Sequence, residues 1–141
     1  MALHPAELPE AALAFLRERH LATLTTVRAD GSPHVVPVGF TWDEDALLAR
    51  VITSRESAKV RHARAGRRAA LAQVDRRRWI SLEGPTRVVE DAASVRDAEE
   101  RYAVRYRVPR PNPERVVLVV EVDRVLGASW PDPLPPSPYA T

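Results

Sequence analysis

At 141 residues, 45% hydrophobic and 28% charged, the chain has the size of one domain of roughly 100–200 residues and a balance that supports a packed core and excludes disorder. The absence of cysteine removes disulfides, thiolate nucleophiles, iron–sulfur clusters and cysteine zinc sites, while the lack of any apolar run near roughly 18 residues, with charges from Glu7 to Arg19, argues against a membrane span or signal peptide and for a cytoplasmic protein. The net charge of +2 is uneven: Lys59 to Arg78 carries +7 and the remainder −5, which points to one local anionic ligand rather than to general nucleic-acid binding.

In chain order, Leu8, Ala12, Phe15 and Leu16 recur at helical spacing and predict an amphipathic helix over about Leu8 to Arg19. Ala22–Val27 and Pro33–Trp42 are β-rich and flank an Asp30–Gly31 turn, which makes a hairpin. Pro37 has no N–H to give a ladder, so its strand should be an edge or carry a bulge, with Gly39 allowing close backbone approach. A turn at Asp43–Asp45 leads to a third strand, Leu47–Thr53. Ser54–Ala65 then reads as a short helix, capped by Ser54 or Ser57 and stopped at Gly66. Ala69–Val74 and Trp79–Glu90 form a second hairpin around Asp75–Arg78, bent at Gly84–Pro85. Asp91 or Ser94 starts a helix through Tyr106 that Pro109, Pro111 and Pro113 end. Val116–Val122 is a strand buried on both faces or closing a barrel, and residues 131–141 are a Pro-rich tail after a single domain, 1–130. Six strands joined mainly by short turns, with three helices, predict a mainly β domain with peripheral helices, a six-stranded antiparallel barrel.

The five glycines are too scattered for a dinucleotide or phosphate loop, no GxSxG is present, and the four histidines lack metal-ligand spacing, so no metal is expected. No acid, base or nucleophile stands out as catalytic; any hard chemistry would belong to a bound cofactor. Thr53–Lys59 runs from a strand end into a helix start, where free N–H groups and the helix dipole favour phosphate, with Ser57 adding a hydroxyl and Lys59 a charge. A capped surface helix explains that segment equally well.

VVPVGF at 35–40, RVITS at 50–54, S-A-K at 57–59 and SLEG at 81–84 after Trp79 resemble the flavin/deazaflavin oxidoreductase superfamily, whose members are similar to pyridoxamine-phosphate oxidase. Residues 15–43, 76–84 and 101–117 more closely resemble its mycobacterial branch of F420H2-dependent biliverdin reductases. The resemblance implies a split β-barrel and a homodimer with cofactor sites at the interface. It implies phosphate binding by Ser57, Lys59 and the Ala58 N–H, and a deazaflavin ring along Val36, Pro37 and Val38 with Ile52, Thr53 and Ser54. Val36, Val38 and Ile52 would equally be core residues of any barrel. The implied reaction is hydride transfer from reduced coenzyme F420 to the central methine of biliverdin, giving a bilirubin-type product. Alternatives are a deazaflavin or FMN carrier, or a reductase of a quinone or nitroaromatic. The +7 segment exceeds what FMN needs and suits the carboxylate tail of F420, with Arg61 and Arg64, beside Arg67 and Arg68, as tail contacts. Arg78 and Trp79 are expected on the far wall of the site, although Trp79 also fits a tryptophan at the barrel rim.

Overall fold

A computed structural model describes residues 2–130, so the tail expected at 131–141 lies outside the described residues. The first helix, α1 (Glu10–Arg17), is shorter than its apolar period suggested because Pro9 sits at its N-cap and Glu18 is already extended. Ala12, Phe15 and Leu16 bury its inner face, and Pro5–Glu7 form a separate 3-10 turn before it.

Eight strands follow where six were expected: β1 (Ala22–Val27), β2 (Pro33–Val38), β3 (Thr41–Asp43), β4 (Leu48–Ser54), β5 (Arg68–Asp75), β6 (Arg78–Val89), β7 (Arg115–Glu121) and β8 (Arg124–Ala128). They pair antiparallel in the order β2-β1-β5-β6-β7-β4-β3, with β8 added to β6. The expected strand Pro33–Trp42 is therefore two strands at opposite edges of the path. Pro37 lies on the edge strand β2, as its missing N–H requires, and the chain leaves that sheet at Gly39. β8 is a five-residue strand whose pairing with β6 is long-range, so its short run gave no local signal.

The long strand β6 belongs to both halves of the barrel. Up to Pro85 it pairs with β5, and from Thr86 it pairs with β7. The bend read at Gly84–Pro85 is this change of partner; a Cβ on Gly84 would overlap the backbone carbonyl of Glu121. Val116 to Val120 of β7 are all buried, one face in the main core and the other under α3 (Ala92–Arg105), where Val117 and Val119 meet Ala98. Asp91 caps α3 by accepting the Ser94 N–H at 3.0 Å.

The two edge strands β2 and β3 do not pair with each other, which leaves the barrel split. The end of α3 closes that seam. Tyr106 accepts the Phe40 N–H at 3.1 Å and donates to the His20 carbonyl at 2.7 Å. Arg105 reaches the Phe40 carbonyl at 2.6 Å, the Glu18 carbonyl at 2.8 Å and Gln73 Oε1 at 2.6 Å. The Tyr102 and Tyr106 rings lie so close to Gly39 that a Cβ there would stand 3.1–3.2 Å from them, the close approach that glycine permits. Among the described residues no helix is long and apolar enough to cross a membrane.

Candidate functional site

A cleft of about 330 Å³ opens on the seam. Pro37, Val38 and Gly39 form one wall, Val51 to Ser54 of β4 the other, and Lys59 stands at one end. Short helix α2 (Ala58–Arg64) begins there with Ser57 at its N-cap in extended conformation. The Ser57 hydroxyl makes no cap bond to its own helix and lies 3.3 Å from Thr53 Oγ1. Lys59 is half-buried and has no hydrogen-bond or carboxylate partner among the described residues; burial pushes its ammonium below the usual lysine range.

The third wall is the chain after α3. Arg107, Pro109, Arg110 and Asn112 line the cleft with Tyr102. Asn112 Nδ2 donates to Ser54 Oγ at 3.0 Å and its Oδ1 accepts the Glu114 N–H at 2.9 Å, which ties this segment to the end of β4. Arg115 pairs with Glu99 at 2.5 Å and donates to the Arg110 carbonyl at 2.6 Å, which fixes the loop's far end. Arg107 and Arg110 have no carboxylate partner among the described residues. Three cations without counter-ions therefore line one cleft, an arrangement suited to phosphate or carboxylate groups.

The sequence expectations divide over this geometry. Pro37, Val38, Ile52, Thr53, Ser54 and Lys59 are brought together around the cleft, with Ser57 and Ala58 at the adjoining turn. Val36 packs against the main core instead. Arg61 donates to the Glu56 carbonyl at 3.2 Å, and Arg64 pairs with Glu90 at 3.0 Å. Arg78 lies outside the cleft lining, held by Glu18 at 2.7 Å and Asp75 at 2.5 Å with its guanidinium 4.5 Å from the Phe15 ring centre. Trp79 stands on the outer sheet face, its carbonyl accepting the Trp130 indole N–H at 2.8 Å. Because Arg64, Arg68 and Arg78 find Glu90, Asp123 and Glu18 outside the Lys59–Arg78 run, the +7 count overstates the field that a ligand meets. Tyr102, Arg107, Arg110 and Asn112 were missed. Their signal is two arginines in a polar, proline-rich stretch directly after a helix, which belongs to the resemblance at 101–117 but by itself points to no site.

Two other places invite comparison. A cleft of about 340 Å³ lies between α1 and β3, but four of its lining charges are already ion-paired: Arg17 with Glu10 and Glu44, and Asp43 with Arg50 and Arg101. Burial alone pushes the Asp43 carboxyl up, yet Arg50, the Ala46 N–H and Arg101 together hold it below the usual range. Glu18, His20 and Asp75 place ligand-type atoms within 4.8 Å of one another, a grouping that sequence spacing hid. There the Arg78 guanidinium already bonds both carboxylates and supplies the positive charge.

The pyridoxamine 5′-phosphate oxidase family pattern matches residues 8–128. The chain is 59% identical over 122 residues to the F420H2-dependent biliverdin reductase of Mycobacterium tuberculosis (strain CDC 1551 / Oshkosh), spanning 86% of this chain and 89% of that protein. It is also similar to the solved structure of an F420 reductase, with a TM-score of 0.66 and 25% identity over 84% of this chain and 98% of that one. A conserved hypothetical protein of Mycobacterium tuberculosis shares the fold at a TM-score of 0.74 and 20% identity, over 87% of this chain and 86% of that one.

Proposed function

The chain belongs to the pyridoxamine 5′-phosphate oxidase family, and from that premise we propose that it is an oxidoreductase using reduced coenzyme F420 to reduce a biliverdin-type tetrapyrrole. The observation that carries this reading is Lys59, a half-buried ammonium that has no counter-ion among the described residues and stands at the end of a cleft walled by two strand edges. An unpaired buried cation is costly, and a ligand phosphate offsets that cost. Ser57, the Ala58 N–H and Lys59 would hold the phosphate, with Pro37, Val38 and Ile52 to Ser54 beside the ring. The bound coenzyme supplies the hydride. With the coenzyme as two-electron donor, the central methine carbon of the bilin would take the hydride and a pyrrole nitrogen a proton from solvent. Arg107 and Arg110 supply cations for the propionates, and Tyr102 covers the seam.

Incubation of the purified protein with reduced F420 and biliverdin is expected to bleach the bilin band and restore the oxidised deazaflavin band. Turnover with FMN or NADPH but not with F420H2 overturns the reading. One feature favours a second reading: among the described residues, no carboxylate or histidine lines the cleft. A carrier that holds the deazaflavin without turnover needs none. Tight coenzyme binding with no acceptor among bilins, quinones and nitroaromatics selects that carrier.

A second copy of the chain is the proposed partner. The outer face of β2, β1, β5 and β6 is built from Val35, Thr25 and Ala70 in one row and Pro37, Thr23, Ala72 and Ser81 in the next. Val74 and Trp79 form a third row. Glu83 of β6 continues the first row beyond Ala70 and stands opposite Arg124 of β8, whereas the middle and third rows carry no charge on these strands; Pro37 belongs both to this face and to the cleft wall, so a protomer docked there would help to enclose the site.

A further inference from the structure

Beside the cleft, α2 carries a second titratable group that the phosphate reading does not use. His62, three residues and about one 5 Å helical turn beyond Lys59, meets His34 of β2 edge-to-face, with ring centres 5.1 Å apart at 76°. Buried Thr26, which faces His34 across the β1–β2 register, places its hydroxyl 2.8 Å from His62 Nδ1. His34 Nδ1 is buried without a partner. Arg28, Arg61 and Arg67 act electrostatically on His62. None of these three pairs with a carboxylate among the described residues: Arg28 donates to the Pro33 carbonyl at 2.6 Å and Arg61 to that of Glu56. By contrast, Arg64 and Arg68, on the same stretch of chain, are both ion-paired. In the turn, Asp30 accepts the Ser32 N–H and hydroxyl at 2.9 and 2.6 Å and also feels the Arg28 charge, so Arg28 is partly offset while Arg61 and Arg67 face His62 without a carboxylate partner among the described residues.

We propose that His34 and His62, ringed by Arg28, Arg61 and Arg67, form a proton-linked carboxylate station. It takes the acidic tail that extends beyond the phosphate of a coenzyme seated at Lys59, a placement that rests on the F420 reading. Without an anion, burial, with His34 and the facing arginines, holds His62 below the usual histidine range, so its imidazole stands neutral near pH 7. A carboxylate arriving among these groups favours the protonated imidazole, so binding takes up a proton. Affinity then rises as pH falls toward the free-state value, and levels off below it.

The probes are F420 with its glutamates, the glutamate-free form that keeps the phosphate, and free γ-linked triglutamate. Deazaflavin fluorescence titrations are expected to show the glutamylated form binding about five- to tenfold tighter at pH 6 than at pH 8, with the glutamate-free form nearly unchanged. His62→Gln and His34→Gln, which keep a polar group beside Thr26, should remove that gain without altering glutamate-free binding. Arg67→Gln, an exposed change, should weaken the glutamylated form at both pH values and serves if either histidine variant fails to fold. Equal pH profiles for the two coenzymes, or a gain that survives His62→Gln, overturn the station. If neither coenzyme binds, the F420 reading fails by itself. Calorimetry with triglutamate then decides: pH-dependent binding lost in His62→Gln upholds the station, and its absence rejects it.

Discussion

Lys59 contributes to the site by being poorly provided for in the fold. A half-buried ammonium with no acceptor loses solvation without regaining it, so removing the charge should cost the fold little and the ligand much. Lys59→Ala is expected to weaken coenzyme binding ten- to hundredfold, on the order of 1.5–3 kcal/mol, with the melting temperature unchanged or slightly raised. Unchanged binding would place the phosphate elsewhere. The place of Lys59 at the start of α2 was legible because strand end, serine, lysine and helix start are local features. Arg78 was not, because its partner Glu18 lies 60 residues away and a charge run records only neighbours in sequence. For the same reason Arg107 and Arg110 escaped notice: their approach to the cleft depends on α3 turning the chain back over β4, a tertiary event with no local period.

At the scale of elements, local chemistry set most strands and helices, and long-range pairing set the rest. The alternation in Ala22–Val27 and the unbroken β-branched run in Val116–Val120 each specify a strand and also how many of its faces are buried. The division of Pro33–Trp42 into β2 and β3 is different in kind. Its residues remain β-formers throughout, and the break at Gly39 is imposed by Tyr102, Tyr106 and Arg105 from α3, so only the glycine hinted at it. Gly84 is where one element serves two sheets. A methyl group there meets the Glu121 carbonyl, a backbone atom that moves only if β6 or β7 shifts. Gly84→Ala should therefore destabilise by about 2–3 kcal/mol, the upper part of the range for over-packing, seen as a lower urea midpoint with an unchanged slope. A midpoint equal to that of the parent would mean that β6 tolerates displacement at its change of partner.

For the whole molecule, the single chain leaves one sheet face uncovered, and its composition differs from that of an ordinary solvated face. Val35, Val74 and Trp79 are 56%, 63% and 38% exposed there, and the row of Pro37, Thr23, Ala72 and Ser81 between them is small and uncharged. Charge enters in the adjoining row, where Glu83 of β6 stands between Ala70 of β5 and Arg124 of β8. A twofold contact on such a face brings like residues together near its axis, which small uncharged side chains allow and a like charge opposes. Ala72→Glu introduces that charge in the middle row, on a side chain outside the core cluster. In light scattering the parent protein is expected to be a dimer and Ala72→Glu a folded monomer with an unaltered far-ultraviolet spectrum. Because Pro37 stands both on this face and in the cleft wall, the variant should also bind coenzyme more weakly, whereas a surface remote from the site would separate the two effects. A parent monomer with full coenzyme affinity would show that one chain completes the cleft by itself, and would leave the uncharged face without a role in binding.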